Sequence, residues 1–318
     1  MTPTQLRAFS TVVRLGSVRD AAAELGVTEA AVSLHVGQLR RELGDQLFTR
    51  TSNGLAFTPG GLRLASRATE LLGLQQRTVR EVHQAAHGRR LLRLATSSLF
   101  AEHAAPGLIE LFASRARDLD VELSVRYAHE FESMLASRTV DVAIGQKPPR
   151  VPDTLTHTTF LNYQVMVVGG PAHPLARGDA RPAQLREQTW LLGPSAAGDD
   201  HVVRSMLRRF DVPEERQRIY QSHAAALEET RHNEGLSLAL SFAVADDLAH
   251  GRLVRVSGAG VHADGVWSAA TLPDHGVLPA AAELVRFITT PRATQAMLRG
   301  SGINIGRFRP SVHVTLWS

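Results

Sequence analysis

Between Thr28 and Gln38 the chain carries hydrogen-bonding side chains at helical spacing: Thr28, Glu29, Ser33, His35 and Gln38, with Leu34 among them. Val32, Val36, Leu39 and Leu43 recur in steps of three and four through the same stretch and supply an apolar face. Thr28, Glu29, Ser33, Leu34 and Gln38 are not needed for that face, whereas His35 sits at its edge and can face either way. Hydroxyl, carboxylate and carboxamide groups in a row along a helix are the groups that read base edges in a major groove. A second set lies where the apolar run Leu91 to Ala95 ends in Thr96-Ser97-Ser98. Hydroxyls at a strand end, next to the amides of a following helix, suit the carboxylate or phosphate of a small ligand. Capping of that helix by Ser97 or Ser98 is the structural alternative. His129, Gln146, Ser195, Ser222 and His223 stand at other predicted strand ends and join the candidate ligand set.

Other chemistry is absent from the sequence. There is no cysteine, which excludes disulfides, thiolate zinc sites, iron–sulfur clusters and a cysteine nucleophile. No Gly-x-Ser-x-Gly, phosphate-binding Walker loop or His-Glu-x-x-His motif occurs, and Gly300-Ser301-Gly302 opens no strand–turn–helix unit. The 14 histidines are scattered, and His223 and His232 lack a clear third ligand. No catalytic residue, metal site or cofactor is therefore expected.

The elements that position these residues follow from caps and periodicity. Thr2-Pro3-Thr4-Gln5 opens a first helix with Leu6, Phe9 and Val13 on one face, stopping at Gly16. Ser17 and Asp20 open a second, ended by Gly26, and Thr28 caps a third, ended by Gly44. Two short helices, a tight turn and a longer helix form the helix-turn-helix plan. Leu47 to Arg50 and Leu55 to Phe57 flank Thr51-Ser52-Asn53-Gly54, a hairpin that makes a wing. Arg50 at its base and Ser52 in its turn are placed to approach the phosphate backbone.

Charge distribution agrees. Residues 1–90 hold 12 Arg against 7 Asp and Glu, while the remainder holds 23 basic and 24 acidic residues. An excess of positive charge in the head suits a polyanion. From Thr58-Pro59 the pattern predicts a helix of about 28 residues, ~42 Å long. Its two partly apolar seams include Leu62, Leu72 and Val79 in one and Leu71, Thr78 and Val82 in the other. They predict packing on a partner or on the chain's own domain.

Beyond residue 89 strands alternate with helices, which implies a parallel sheet with crossovers. Strands are expected over 91–96, 121–125, 140–145, 163–168 and 190–193, near Ile219 and over 266–270. One helix is expected to carry Leu99 through Phe112, with others through Val203 to Phe210, from about Ala224, and around Ala281 to Ile288. Val312, Val314 and Leu316 alternate, as an added strand or a subunit contact would.

The N-terminal residues resemble the winged helix-turn-helix of LysR-type transcriptional regulators. The resemblance rests on Leu6, Phe9, Gly16-Ser17, Ala21-Ala22, Leu25, Ser33, Gln38-Leu39, Glu42-Leu43-Gly44, Leu47-Phe48-Thr49-Arg50 and Thr58-Pro59-Gly60-Gly61. Where that family commonly has Gln-Pro, this chain has Glu29-Ala30, so an operator sequence does not transfer. Residues 232–256, HNEGLSLALSFAVADDLAHGRLVRV, resemble the family's effector domain, with Ser241-Phe242 where relatives often place a proline.

The fold implied is an N-terminal winged helix-turn-helix, a long linker helix, and a two-lobed α/β domain like periplasmic binding proteins. The divisions expected are 1–60 for DNA binding, 61–88 for the linker and 89–318 for the effector domain. Within the last, lobe I takes about 89–161 and 268–300, and lobe II about 162–267. The function implied is a regulator whose DNA binding responds to a small, anionic effector between the lobes. Double-stranded DNA, the effector and a second copy paired through the linker helix are the implied partners, with a homotetramer as family precedent. The contrasting reading is a small-molecule-binding protein or enzyme with an incidental head. No membrane span or export signal is read from the sequence, so a cytoplasmic location is expected.

Overall fold

The computed structural model describes residues 1–51, 54–116, 118–197, 201–273, 277–299 and 312–315. The chain divides into two compact units, one of residues 1–86 with 136–139 and the other of 87–135 with 140–318.

In the first unit, α1 (Pro3–Leu15) starts at a full capping box: Gln5 N donates to Thr2 Oγ1 (3.3 Å) and Thr2 N to Gln5 Oε1 (2.7 Å). Ser17 caps α2 (Val18–Leu25) by accepting from Asp20 N, and Thr28 caps α3 (Glu29–Leu43) by accepting from Ala31 N. Each cap satisfies a first-turn amide that the helix itself cannot. Gly26, between α2 and α3, takes φ +65°, a conformation that would strain a side chain. Phe9, Val12, Ala21, Val32, Val36, Leu39 and Phe48 bury one another at the centre, with the Phe9 and Phe48 rings stacked at 6.3 Å.

The wing is the antiparallel pair β1 (Phe48–Thr51) and β2 (Gly54–Phe57), in register Phe48 to Phe57. Arg40 ties it to α3, donating from Nη2 to Phe48 O (2.7 Å) with its guanidinium 4.6 Å over the Phe48 ring.

The linker helix α4 runs Pro59–His87, 29 residues and about 44 Å long. Thr58 starts it, accepting from Gly61 N (2.9 Å) while donating to Asp45 Oδ1 (2.7 Å). That hydrogen bond, with one from Leu47 N, holds the Asp45 carboxyl below the usual carboxylate range. Gly61 is forced by close approach: a Cβ there would lie 1.9 Å from the Leu47 carbonyl oxygen. Because backbone must move to make room, Gly61→Ala is expected to cost about 3 kcal/mol, the upper end of overpacking penalties. A lower unfolding midpoint of the full chain checks this; an unchanged midpoint contradicts it. Leu62, Leu71, Leu74, Val79 and Val82 of α4 are exposed, Val82 to 66%.

The second unit is built on a sheet of ten strands among the described residues. β3 (Arg90–Thr96) leads into α5 (Ser98–His103) and α6 (Ala105–Ala113), then β4 (Leu119–Val125), α7 (Phe131–Ala136) and β5 (Val142–Gln146). β3 pairs in parallel with both β4 and β5, as crossover helices require. β4 alternates buried and half-buried positions, as its sequence pattern predicts. The single helix expected over Leu99 to Phe112 is instead two, broken at Ala104. Pro106 has no amide to continue the α5 ladder and is accommodated in the first turn of α6.

The chain continues through β6 (Thr156–Gly169), β7 (Asp179–Ala180), α8 (Pro182–Arg186), β8 (Trp190–Leu192), α9 (His201–Arg209) and β9 (Gln217–Ile219). Then come α10 (His223–Arg231), β10 (Leu236–Leu240), α11 (Ala245–Ala249), β11 (Val254–Arg255), β12 (Ser257–Gly258) and β13 (His262–Thr271). α12 (Pro279–Ile288), α13 (Pro291–Arg299) and β14 (Val312–Thr315) complete it.

The sheet order is β14-β4-β3-β5-β13-β6-β10-β8-β9, with β11 also on β6. The expected parallel sheet is in fact mixed, because β13 pairs antiparallel with both β5 and β6, and β6 antiparallel with β10. β6 and β13 are also longer than the apolar runs that signalled them, starting at Thr156 and His262. Their first halves are mostly exposed or half-buried, and only the buried ends read as strand from sequence. β14 adds to the sheet edge, parallel to β4, which favours the added strand of the two readings of the tail. Leu316 lies outside the described residues.

Arg93 and Asp141 lock β3 to the start of β5. Arg93 N and Nη2 donate to the two carboxylate oxygens of Asp141 (2.8 and 3.2 Å), and Asp141 N returns a bond to Arg93 O (2.8 Å). The side chains are 10% and 2% exposed.

Candidate functional site

On α3 the apolar face packs inward and leaves Thr28, Glu29, Ser33 and Leu34 exposed, Leu34 to 55%. Thr28 also serves as the N-cap. His35 is half-buried, with Nδ1 enclosed and without a hydrogen-bond partner among the described residues. Gln38 is half-buried and accepts at Oε1 from Gln5 Nε2 (2.9 Å), which leaves its amide nitrogen to donate elsewhere. Gln5 is itself fixed by the α1 capping box, so the Gln38 orientation is set from the first turn of the chain. The side chain of Arg50 and all of Ser52 lie outside the described residues. Sequence reasoning missed Arg40, whose role is to hold the wing.

At the end of β3, Thr96 is fully buried and Ser98 nearly so. Ser97 stands at the N-cap of α5 but makes no capping hydrogen bond, and its Oγ is enclosed without a partner among the described residues. The capping alternative therefore does not describe Ser97. An enclosed hydroxyl that lacks a partner costs roughly 1–3 kcal/mol, which a ligand acceptor there would recover.

Ser222 does cap: it accepts from Ala225 N (3.1 Å) and starts α10. His223, the first residue of α10, is buried and bridges two partners. Its Nε2 is 2.8 Å from Ser195 Oγ and its Nδ1 3.0 Å from Glu102 Oε1. Glu102 Oε2 also accepts from the His223 and Ala224 amides (2.8 and 3.3 Å). His103 is adjacent, its ring centroid 5.7 Å from that of His223.

Burial raises the Glu102 carboxyl, but the His223 hydrogen bond, the charges of His223 and His103, and the His223 amide together outweigh it. Glu102 therefore sits below the usual range. Burial, then the His223 charge, pushes His103 down to about 4 against the opposing pull of Glu102. His103 is thus neutral in the folded chain at pH values where the unfolded chain already takes up a proton. Its contribution to stability is present above about 6.5 and is lost as pH falls toward about 4. The Glu102 contribution is lost at still lower pH, so acid loosens both.

His129 and Gln146 belong elsewhere. With Arg150, His157 and Ser268 they line a cavity of about 200 Å³, and Gln146 Oε1 also accepts from Val202 N (3.4 Å). The strand-end residues chosen from sequence thus fall into two groups: Ser195, Ser222 and His223 around Glu102, and His129 with Gln146 at the cavity. Glu102 and His103 were missed, because neither lies at a strand end. Their spacing four and five residues after Ser98, on the helix that the hydroxyl triplet opens, was the available signal.

Comparison with known proteins decides the family. The profile for the bacterial regulatory helix-turn-helix protein, lysR family, matches residues 3–62, and that for the LysR substrate binding domain matches residues 85–291. The chain is a LysR-family DNA-binding transcriptional regulator with an effector-binding domain. An uncharacterized HTH-type transcriptional regulator of Mycobacterium tuberculosis (strain ATCC 25618 / H37Rv), Rv0377, is 60% identical over all of both chains. A RuBisCO operon transcriptional regulator of Allochromatium vinosum is 32% identical over 65% of this chain and 67% of that protein. Such relatives are regulators rather than enzymes.

Among solved structures, ArgP from Mycobacterium tuberculosis aligns with TM-score 0.57 over 94% of this LysR regulator and 96% of that chain, at 19% identity. A probable transcriptional regulator, PA0477, from Pseudomonas aeruginosa aligns at TM-score 0.55 over 91% and 96%, at 20% identity. The fold is thus that of full-length LysR proteins: a winged helix-turn-helix followed by a two-lobed effector domain. No helix of the described residues is long and apolar enough to cross a membrane.

Proposed function

We propose that this LysR regulator acts in the cytoplasm as a dimer paired through α4, assembled further into a tetramer. In this reading it places two α3 helices in successive major grooves, and its DNA binding is set by a small anionic effector at the end of β3. Functional divisions at 1–60, 61–88 and 89–318 serve this reading, with lobe I over about 89–161 and 268–300. The exposed leucines and valines of α4 support pairing, since apolar side chains left exposed along a helix of about 44 Å gain by being covered. Pairing also supplies a second head, and two heads on one duplex bind far more tightly than one. Thr28, Glu29, Ser33, Leu34 and Gln38 are the proposed base-facing residues, with Arg50 and Ser52 on phosphate and His35 at the margin.

The observation that carries the effector reading is Ser97. Its enclosed, unpartnered hydroxyl stands beside Thr96 and Ser98 at a strand end, with the first-turn amides of α5 next to it. In this reading Thr96, Ser97 and Ser98 bind the anion; Ser195, Ser222 and His223, and separately His129 and Gln146 at the second cavity, are the further candidate contacts.

A thermal-shift screen of the full chain against small carboxylic acids and phosphate esters tests this. Stabilisation by at least one anion is expected, and Ser97→Asp should weaken it by ~10–150-fold, since a charge-assisted hydrogen bond of about 1.5–3 kcal/mol is lost. Ligands that stabilise both proteins equally, or neutral compounds alone stabilising the native chain, would contradict it.

A further inference from the structure

We propose that Glu102, His103 and His223 form a binding site for a divalent transition metal of the zinc, cobalt or nickel class. This site shares His223 with the proposed effector-binding set, and its occupation joins α5 to α10. One donor atom from each residue lies within 4.8 Å of the others, and the two histidines are buried. Two imidazoles and one carboxylate, with no thiolate, form a set that selects such metals over calcium or magnesium.

The hydrogen bonds already assign the donors. Glu102 Oε2 is anchored by the amides of His223 and Ala224, which leaves Oε1 for the metal. His223 Nε2 faces Ser195 Oγ at 2.8 Å. Donation of Nε2–H to that oxygen puts the lone pair on Nδ1, 3.0 Å from Glu102 Oε1. A tetrahedral zinc with bonds of ~2.0–2.1 Å spaces its donors roughly 3.3 Å apart. The Nδ1–Oε1 pair is therefore close to the needed separation. The metal-free contact needs a proton on Nδ1, and metal binding takes the ring in its Nε2–H form, so that the ion stands where Nδ1–H pointed. The His103 donor lies within 4.8 Å of the other two, so an inward movement of at most ~1.5 Å closes the third position. Ser195 is then the group that orients a metal-bound histidine, in the place that a carboxylate, carbonyl or water usually takes. Three protein ligands leave the fourth position for water or for an anionic group.

The Glu102–His223 contact joins residues that are 121 positions apart in the chain. Metal binding there holds α10 against α5, so the metal acts as a clamp on the effector domain.

The test uses the full chain, stripped with a chelator, desalted and titrated with Co²⁺ and then Zn²⁺. Expected are one Co²⁺ per chain with the visible d–d absorption of a four- or five-coordinate site, its displacement by Zn²⁺, and a raised unfolding midpoint. Glu102→Gln and His103→Gln should each weaken binding by ~100-fold or more, and Ser195→Ala by ~10-fold, the scale of outer-partner losses. His232→Gln, at an exposed position, should change nothing. Glu102→Gln keeps the side-chain shape, and circular dichroism of each variant confirms folding. Ser195→Ala gives a second readout at a residue that is not itself a proposed ligand. The proposal is overturned if the native chain binds no stoichiometric metal, or if binding survives unchanged in both Glu102→Gln and His103→Gln.

Discussion

Ser33→Glu is expected to remove specific operator binding while leaving the head folded. Ser33 is exposed on α3, away from the Val32, Val36 and Leu39 face that holds the head together, so the fold has no reason to resist the change. In the groove the same change places a carboxylate against phosphates and base acceptors and deletes one hydroxyl contact. A base contact is worth ~1–3 kcal/mol, and the dimer proposed above loses it twice. The loss is therefore about 2–6 kcal/mol, a drop in affinity of roughly 30-fold to more than 10⁴-fold. Fluorescence anisotropy with the DNA upstream of the regulator's own gene measures it, with far-ultraviolet circular dichroism as the folding control. Affinity within threefold of native, in a folded variant, would remove Ser33 from the reading face.

Asp141→Asn is expected to cost the effector domain about 3–5 kcal/mol, the usual penalty for leaving a buried charge without its counter-charge. Asp141 is 2% exposed and engages Arg93 through both carboxylate oxygens. Arg93 Nε already lacks a partner among the described residues, so the carboxylate is its main compensation. The amide keeps the size of the side chain but not the charge, which separates this effect from cavity formation. Unfolding of the full chain in urea measures it, and a loss below 1 kcal/mol would show that water already compensates Arg93. Replacing both residues by apolar ones of similar volume should recover much of the loss, because a buried ion pair adds little over good packing.

How legible the molecule was depended on how local its determinants are. Thr2, Ser17, Thr28 and Thr58 each act within three residues of themselves, and all four form the side-chain caps that their types imply. Gly26 and Gly44 end their helices for the same local reason. Pro106 was a local signal too, and giving it weight would have split α5 from α6. The antiparallel pairings of β6 and β13 were not legible, because direction is set by which strands meet across a hundred residues.

The site divided in the same way. Thr96-Ser97-Ser98 announces itself as three hydroxyls in a row, but that Ser97 stays without a partner is a fact of packing. Ser195, Glu102 and His223 converge only because three separate connections end at one place. Glu102 in particular gives no sign, in its own neighbours, that two amides of α10 await it.

The central claim is that α3 reads a duplex, held there by the basic head. Its most direct test is anisotropy titration of the full chain against the DNA upstream of its own gene and a scrambled duplex of equal length, from 50 to 200 mM salt. The account predicts saturable binding at least ~10³-fold tighter to the native sequence, with log affinity falling linearly in log salt by ~0.9 per neutralised phosphate. Equal affinity for the two duplexes, or affinity indifferent to salt, would contradict it.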